Sequence, residues 1–284
     1  MMKLTNFMLA SATLLSTMAL GGAQVLAEAG PIPADRETKA QVQFIEDDSK
    51  QPPVDPTDPD TDNPKDPIDP TDPDNPVDDG TNGPLSLDYA SILDFGENVI
   101  STQDQTYYAA PQLFRGQDGQ PDETNPVPLY AQVTDKRGGE QGWSLSVKQN
   151  GQFKSATNKR DLTGAEITFS AGNVYSYSQS NTPSTVKEQF SLTPDGTGAA
   201  ENVVEASEGQ GFGTWVYRFG ENAEKDYQAV SLNVPGSTVK EKDTYTTSLT
   251  WTLNDVPSND DGSDNGNVTD PGEDNTGDTG EGNN

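Results

Sequence analysis

Two segments of this chain carry the same tripeptide, Trp-x-Leu. They are Gly142-Trp143-Ser144-Leu145-Ser146-Val147 and Leu249-Thr250-Trp251-Thr252-Leu253. An exposed indole offers a ligand a flat apolar face and one donor N–H, and a buried one anchors a core. Both readings stay open for Trp143 and Trp251. A second group of polar residues flanks the same segments. Asp135-Lys136-Arg137 and the pair Gly138-Gly139 precede the first tripeptide, and Asp255 follows the second. A turn at the two glycines would bring Arg137 near Asp255. Arg137 then either offers a forked donor to a ligand carboxylate or ties two strands together through its own acidic partner.

Strands must position these residues. Strand side chains alternate between faces. Trp143, Leu145 and Val147 therefore share one face, as do Leu249, Trp251 and Leu253. Further runs of strand character span 85–89, 92–95, 127–134, 165–170, 173–178, 186–192, 213–219 and 227–233, with the tripeptide strands at 142–148 and 244–253. Turn signals separate them, among them Gln149-Asn150-Gly151, Pro194-Asp195-Gly196 and Pro235-Gly236. Short strands with frequent turns predict an all-β domain over 84–257, a single irregular β-sandwich or barrel. In the strand at 213–219, Trp215, Tyr217 and Phe219 share a face. Trp215 and Tyr217 are either core or a platform on which a sugar ring could stack.

Composition excludes several chemistries. The chain has no Cys and no His. Disulfides, thiol nucleophiles, imidazole bases and the usual zinc ligand sets are therefore absent. Carboxylates, Lys and Tyr remain, and nothing in the pattern of 46 acids singles out a catalytic pair. The chain reads as a non-enzyme without a cofactor or metal. Its net charge of −29 argues against nucleic acid and against an anionic membrane surface, both of which demand a cationic face.

The flanks read as delivery and spacing. Residues 1–27 have Lys3, an uncharged run from Leu4 to Leu20, and Val25-Leu26-Ala27 before an expected cleavage at Glu28, the features of a secretory signal peptide. A cut after Ala29 is the alternative. Within 28–50, Ala40, Val42 and Phe44 alternate with polar residues as one isolated strand. Such a strand is either disordered or added to a sheet edge, its own or a partner's. Residues 51–83 are rich in Pro and Asp, and the hexapeptide Asp-Pro-Thr-Asp-Pro-Asp occurs at 55–60 and 69–74. Proline blocks ladder bonding and the acids repel, so the segment is expected to be a disordered, extended linker. Residues 258–284 hold 8 acids and no base and are expected to be a disordered tail.

The blocks around the tripeptides resemble the WxL family of bacterial surface proteins. The resemblance rests on Val133-Thr134-Asp135-Lys136-Arg137-Gly138 ahead of Gly142-Trp143, on Val234-Pro235-Gly236-Ser237-Thr238, and on the closing Thr250-Trp251-Thr252-Leu253-Asn254-Asp255-Val256-Pro257. It covers about residues 84–257. It implies a secreted protein of a Gram-positive bacterium, associated non-covalently with the cell wall, with peptidoglycan as ligand. Other surface proteins of the same system are implied as possible partners. An assembly or adhesion subunit, held at the wall through such a partner, is the alternative function. Wall binding is assigned by resemblance to Trp143, Leu145, Trp251 and Leu253, with Asp135, Arg137 and Asp255 as polar contacts. The chain departs from the pattern by continuing for 27 residues after Pro257. Neither nucleic acid nor, after signal cleavage, a membrane is expected as a partner.

Overall fold

The computed structural model describes residues 36–193, 195, 197–221 and 228–255. Every regular element among them is a strand. In chain order these are β1 (Leu85–Ala90), β2 (Gln105–Tyr108), β3 (Tyr130–Asp135), β4 (Trp143–Gln149), β5 (Lys154–Ser155), β6 (Glu166–Phe169) and β7 (Gly172–Tyr175). They continue as β8 (Thr185–Val186), β9 (Phe190–Ser191), β10 (Ala199–Ala206), β11 (Gly213–Phe219), β12 (Val230–Val234), β13 (Tyr245–Thr246) and β14 (Leu249–Asn254). Three four-stranded sheets run β1-β3-β11-β7, β14-β4-β10-β8 and β2-β12-β6-β9, with a ribbon β13-β5. Pairing between these strands is antiparallel. No sheet closes on itself, so the fold is sandwich-like and not a barrel.

The strands form where alternation puts one apolar face against a shared core. β4 sends Trp143, Leu145 and Val147 inward, β6 sends Ile167 and Phe169, β11 sends Trp215, Tyr217 and Phe219, and β12 sends Val230, Leu232 and Val234. At its centre Phe169 stacks on Phe190 at 4.8 Å and meets Phe219 at 4.7 Å. Fully burying each such side chain contributes about 1.5–3 kcal/mol, which lets a chain without disulfides hold this fold.

Local sequence explains the departures from the expected strands. Residues 92–95 pack Leu93 and Phe95 on the core without joining a ladder. The run at 186–192 breaks in two, because the Lys187 and Glu188 carbonyls accept from the Tyr217 hydroxyl at 2.6 Å and the Gly172 N–H at 2.9 Å. The run at 244–253 likewise splits into β13 and β14. β2, β5 and β10 carry no clear alternation. β10 bulges between Ala200 and Val204, where Asn202 adopts a φ of 49°. The segment expected to be a signal peptide, the acidic tail, and Pro194 and Gly196 of one turn lie outside the described residues. Residues 36–44 form no strand, and Val42 and Phe44 are exposed.

The largest correction concerns residues 51–83. Expected as a free linker, they pack as a strap on the outer face of the β1-β3-β11-β7 sheet. The compact unit that holds the sheets begins at Ile45. Val54 is buried in a second cluster with Tyr89, Phe114, Val127, Tyr130 and Val216, and Ile68 is buried as well. The Gln132 side chain binds the strap at both ends of its amide. It accepts from the Val54 N–H at 2.8 Å and donates to the Pro52 carbonyl at 3.0 Å. Arg218 donates to the Pro56 carbonyl at 2.9 Å, and Arg115 pairs with Asp66 at 3.0 Å. Both copies of the hexapeptide make the same turn. Asp55 and Asp69 each cap the Thr two residues on, through its N–H and its hydroxyl. These prolines and acids therefore shape turns, and the single apolar residue before each copy, Val54 or Ile68, is the anchor.

Candidate functional site

The two Trp-x-Leu strands are direct neighbours. β14 lies antiparallel beside β4, with Leu253 opposite Leu145 and Trp251 opposite Val147. Opposed residues of an antiparallel pair share a face, so all of these side chains point into the core. Their environments differ because β4 is flanked on both sides while β14 is an edge strand. Trp143 is 1% exposed and Leu145 is equally buried. Trp251 and Leu253 are half-buried, and the Trp251 ring meets Phe169 edge-on at 6.3 Å.

The polar cluster closes the same corner. Arg137 grips the fully buried Asp135 carboxylate with two donors, Nε at 3.0 Å and Nη2 at 2.7 Å. Nη2 also donates to the Gly142 carbonyl at 2.6 Å, and Nη1 to the Asp255 carbonyl at 3.1 Å. That hydrogen-bonded pair with Asp135 raises the guanidinium pKa above its usual value. Arg137 thus ties the end of β3 to the start of β4 and to the end of β14. The structure brings Asp135, Arg137 and Asp255 together, with Asp255 contributing its backbone.

Trp215 and Tyr217 are buried at 5% and 2% exposure, which overturns the sugar-platform reading of that strand. The Trp215 indole N–H donates to the Phe212 carbonyl at 3.1 Å.

A groove of about 810 Å³ opens beside this corner, between the strap and the loops at 136–140, 176–180 and 211–214. That volume lies within the roughly 300–1,000 Å³ of ligand sites. Asp135 and Lys136 lie at its base end, and Pro59 and Asp60 form its strap wall. Two aromatic rings project into it with open surface, Tyr177 at 52% and Phe212 at 40% exposure. Both are held in place. The Tyr177 hydroxyl donates to the Asp58 carboxylate of the strap, and its ring meets Tyr175 edge-on at 5.7 Å. That hydrogen bond raises the Tyr177 pKa above its usual value. Phe212 is fixed through its backbone. Its carbonyl accepts from Ser178 Oγ at 2.6 Å, and its N–H donates to Ser180 Oγ at 3.2 Å.

The first tripeptide reaches this groove indirectly. The buried Trp143 indole N–H donates to the Gly211 carbonyl at 3.0 Å, next to Phe212. Gly211 has a φ of 79°, and a Cβ there would lie 2.6 Å from Trp143 Nε1. Only glycine fits that approach. Tyr177, Phe212 and Glu140 escaped the sequence reading. The available signal was the run Tyr175-Ser176-Tyr177-Ser178, which alternates aromatic and hydroxyl residues and so suits a partly exposed face.

The pattern of the family described as WxL domain, surface cell wall-binding, matches residues 33–257. The chain belongs to the WxL family. It is therefore a cell-wall-binding protein of the cell surface. Comparison with curated proteins and with solved structures finds no match. The WxL match takes in the strap as well as the sheets, in agreement with their packing as one unit.

Proposed function

We propose that this WxL protein binds peptidoglycan directly through its strapped β unit, and that the Trp-x-Leu residues act by holding the binding surface in place. The observation that carries this reading is the hydrogen bond from buried Trp143 to Gly211, which fixes the loop bearing exposed Phe212. Trp251 and Leu253 pack from the neighbouring strand beside β4, which carries Trp143. Asp135, Arg137 and Asp255 lock the corner in the same way, since Arg137 spends four donor contacts inside the protein. The protein is a binder and not an enzyme, exported to a Gram-positive wall. With a strongly acidic chain, attraction to the wall is local and not long-range.

Co-sedimentation of the full chain with peptidoglycan stripped of its attached polymers tests this. Direct binding predicts that the chain pellets with the wall material without any other protein. If it remains in the supernatant until a second surface protein is added, direct binding is wrong. One observation favours that second reading, an assembly subunit held through a partner. Val42, Phe44 and Ile45 are exposed on a segment that alternates like a strand, which suits addition to a partner's sheet edge.

A further inference from the structure

We infer that the groove between the strap and the 176–180 and 211–214 loops is a saccharide site, with Tyr177 and Phe212 as stacking platforms for pyranose rings of the uncharged glycan strand of peptidoglycan. This inference rests on the proposal of direct peptidoglycan binding and names the part of the polymer that is gripped.

The ring faces of tyrosine and phenylalanine carry negative quadrupole charge, and the axial C–H groups of a pyranose present a partly positive apolar face that fits them. Among the described residues large exposed aromatics are few, and here two flank one groove. Their rigid mounting lowers the ordering cost of binding. Tyr177 is tied to Asp58, and Phe212 hangs from a loop whose carbonyls are fixed by the indoles of Trp143 and Trp215. Between the rings the lining is rich in groups that pair with sugar hydroxyls. Glu140 receives the Ser180 hydroxyl at Oε1 and leaves Oε2 to accept a ligand O–H. Gln179 is exposed at the same wall.

Charge selects among wall polymers. The rim carries Asp60 and Glu140. Its lysine, Lys136, is engaged with the Asp47 carboxylate at 3.0 Å and the Ser49 carbonyl at 2.6 Å. A phosphate-bearing polymer meets carboxylates here without a free cation to receive it. An uncharged glycan meets no such penalty. The strap supplies one wall of the groove and the carboxylate that holds Tyr177. The Pro/Asp-rich segment thus belongs to the site as well as to the fold.

The test uses the full chain and its Tyr177→Ala, Phe212→Ala and doubly substituted variants, each checked for an unchanged denaturation midpoint. Both side chains are surface-exposed, so the folded state is expected to survive. Affinity for stripped peptidoglycan falls about tenfold for each single variant, as for truncation of an aromatic anchor, and further for the double. In a second arm, a soluble tetramer of N-acetylglucosamine shifts the amide resonances of 177–180 and 209–213, whereas polyglycerol phosphate does not. A folded double variant that pellets like the wild type, with no tetramer-induced shifts at those loops, overturns the inference. A wild type that fails to pellet while the tetramer still shifts those loops removes direct peptidoglycan binding and leaves the saccharide site standing.

Discussion

The β4–β14 pair and the β1–β3–β11 sheet beneath the strap are both closely packed, but a buried polar network takes part only in the second. Around β4 the packing is apolar: Trp143, Leu145 and Val147 enter a core of aromatic and branched side chains. Beneath the strap a buried polar network lies beside the smaller apolar cluster around Val54. Ser86, Asp88, Gln132, Thr134 and Thr214 are all buried there. Asp88 accepts from Ser86 at 2.5 Å, from Thr134 at 2.6 Å and from Gln132 at 2.9 Å. The first region gains stability from area removed from water. The second adds the hydrogen bonds of Asp88 and Gln132, which contribute little net stability when made and cost much when broken. Substitutions should therefore act differently in the two places.

The largest effect is expected at Trp143→Ala. It deletes the most buried large side chain of the motif and leaves the Gly211 carbonyl without its donor. Loss of about 3–5 kcal/mol is expected, read as a lowered urea midpoint. A loss comparable to that of a surface substitution would remove Trp143 from its supporting role.

Next comes a pH effect confined to the polar region. Burial pushes the Asp88 carboxyl up to about 6, against the pull of its three hydrogen bonds. A raised folded-state pKa means that the folded protein holds this proton more tightly than the unfolded chain. The resulting stability is fully present below about pH 4, the unfolded value, and is lost as pH rises through about 6. The difference between about 4 in the unfolded chain and about 6 in the folded one corresponds to roughly 3 kcal/mol. Urea midpoints from pH 4 to 7 should thus fall more steeply in the wild type than in Asp88→Asn, which cannot ionise. Parallel profiles would show that the buried carboxyl does not titrate in this window.

A smaller effect is expected at Gln132→Leu. It keeps an apolar bulk but leaves the Val54 N–H and the Pro52 carbonyl unpaired, at about 1–3 kcal/mol. Amide exchange should accelerate at 52–60 and stay slow in β4 and β12. Uniform acceleration would mean that strap and sheets open together.

The same contrast decides what the sequence could disclose. Alternation of apolar residues made β4, β11, β12 and β14 legible, including the shared face of Trp215, Tyr217 and Phe219. It also placed Arg137 near Asp255, because a Gly-Gly turn leaves few other paths. The strap was not legible. Ser86, Asp88, Gln132 and Thr134 have the pattern of a solvent face, and only the strap that covers them makes them buried. Proline and aspartate read as an open linker because propensity says nothing of one Val or Ile seated in a distant pocket. The groove was illegible for a related reason. Tyr177, Phe212 and Glu140 come from separate loops, and only the fold brings them together.

The central claim is that the Trp-x-Leu residues support the wall-binding surface and do not themselves contact the wall. Trp251 tests it most directly, as the half-exposed tryptophan of the two motifs. Trp251→Phe keeps an aromatic ring against Phe169 and should cost less than about 1.5 kcal/mol. The measurement is co-sedimentation of this variant with stripped peptidoglycan at a temperature where its circular dichroism matches the wild type. Retention equal to the wild type is predicted. Loss of binding by the folded variant would place the indole at the ligand and contradict the account.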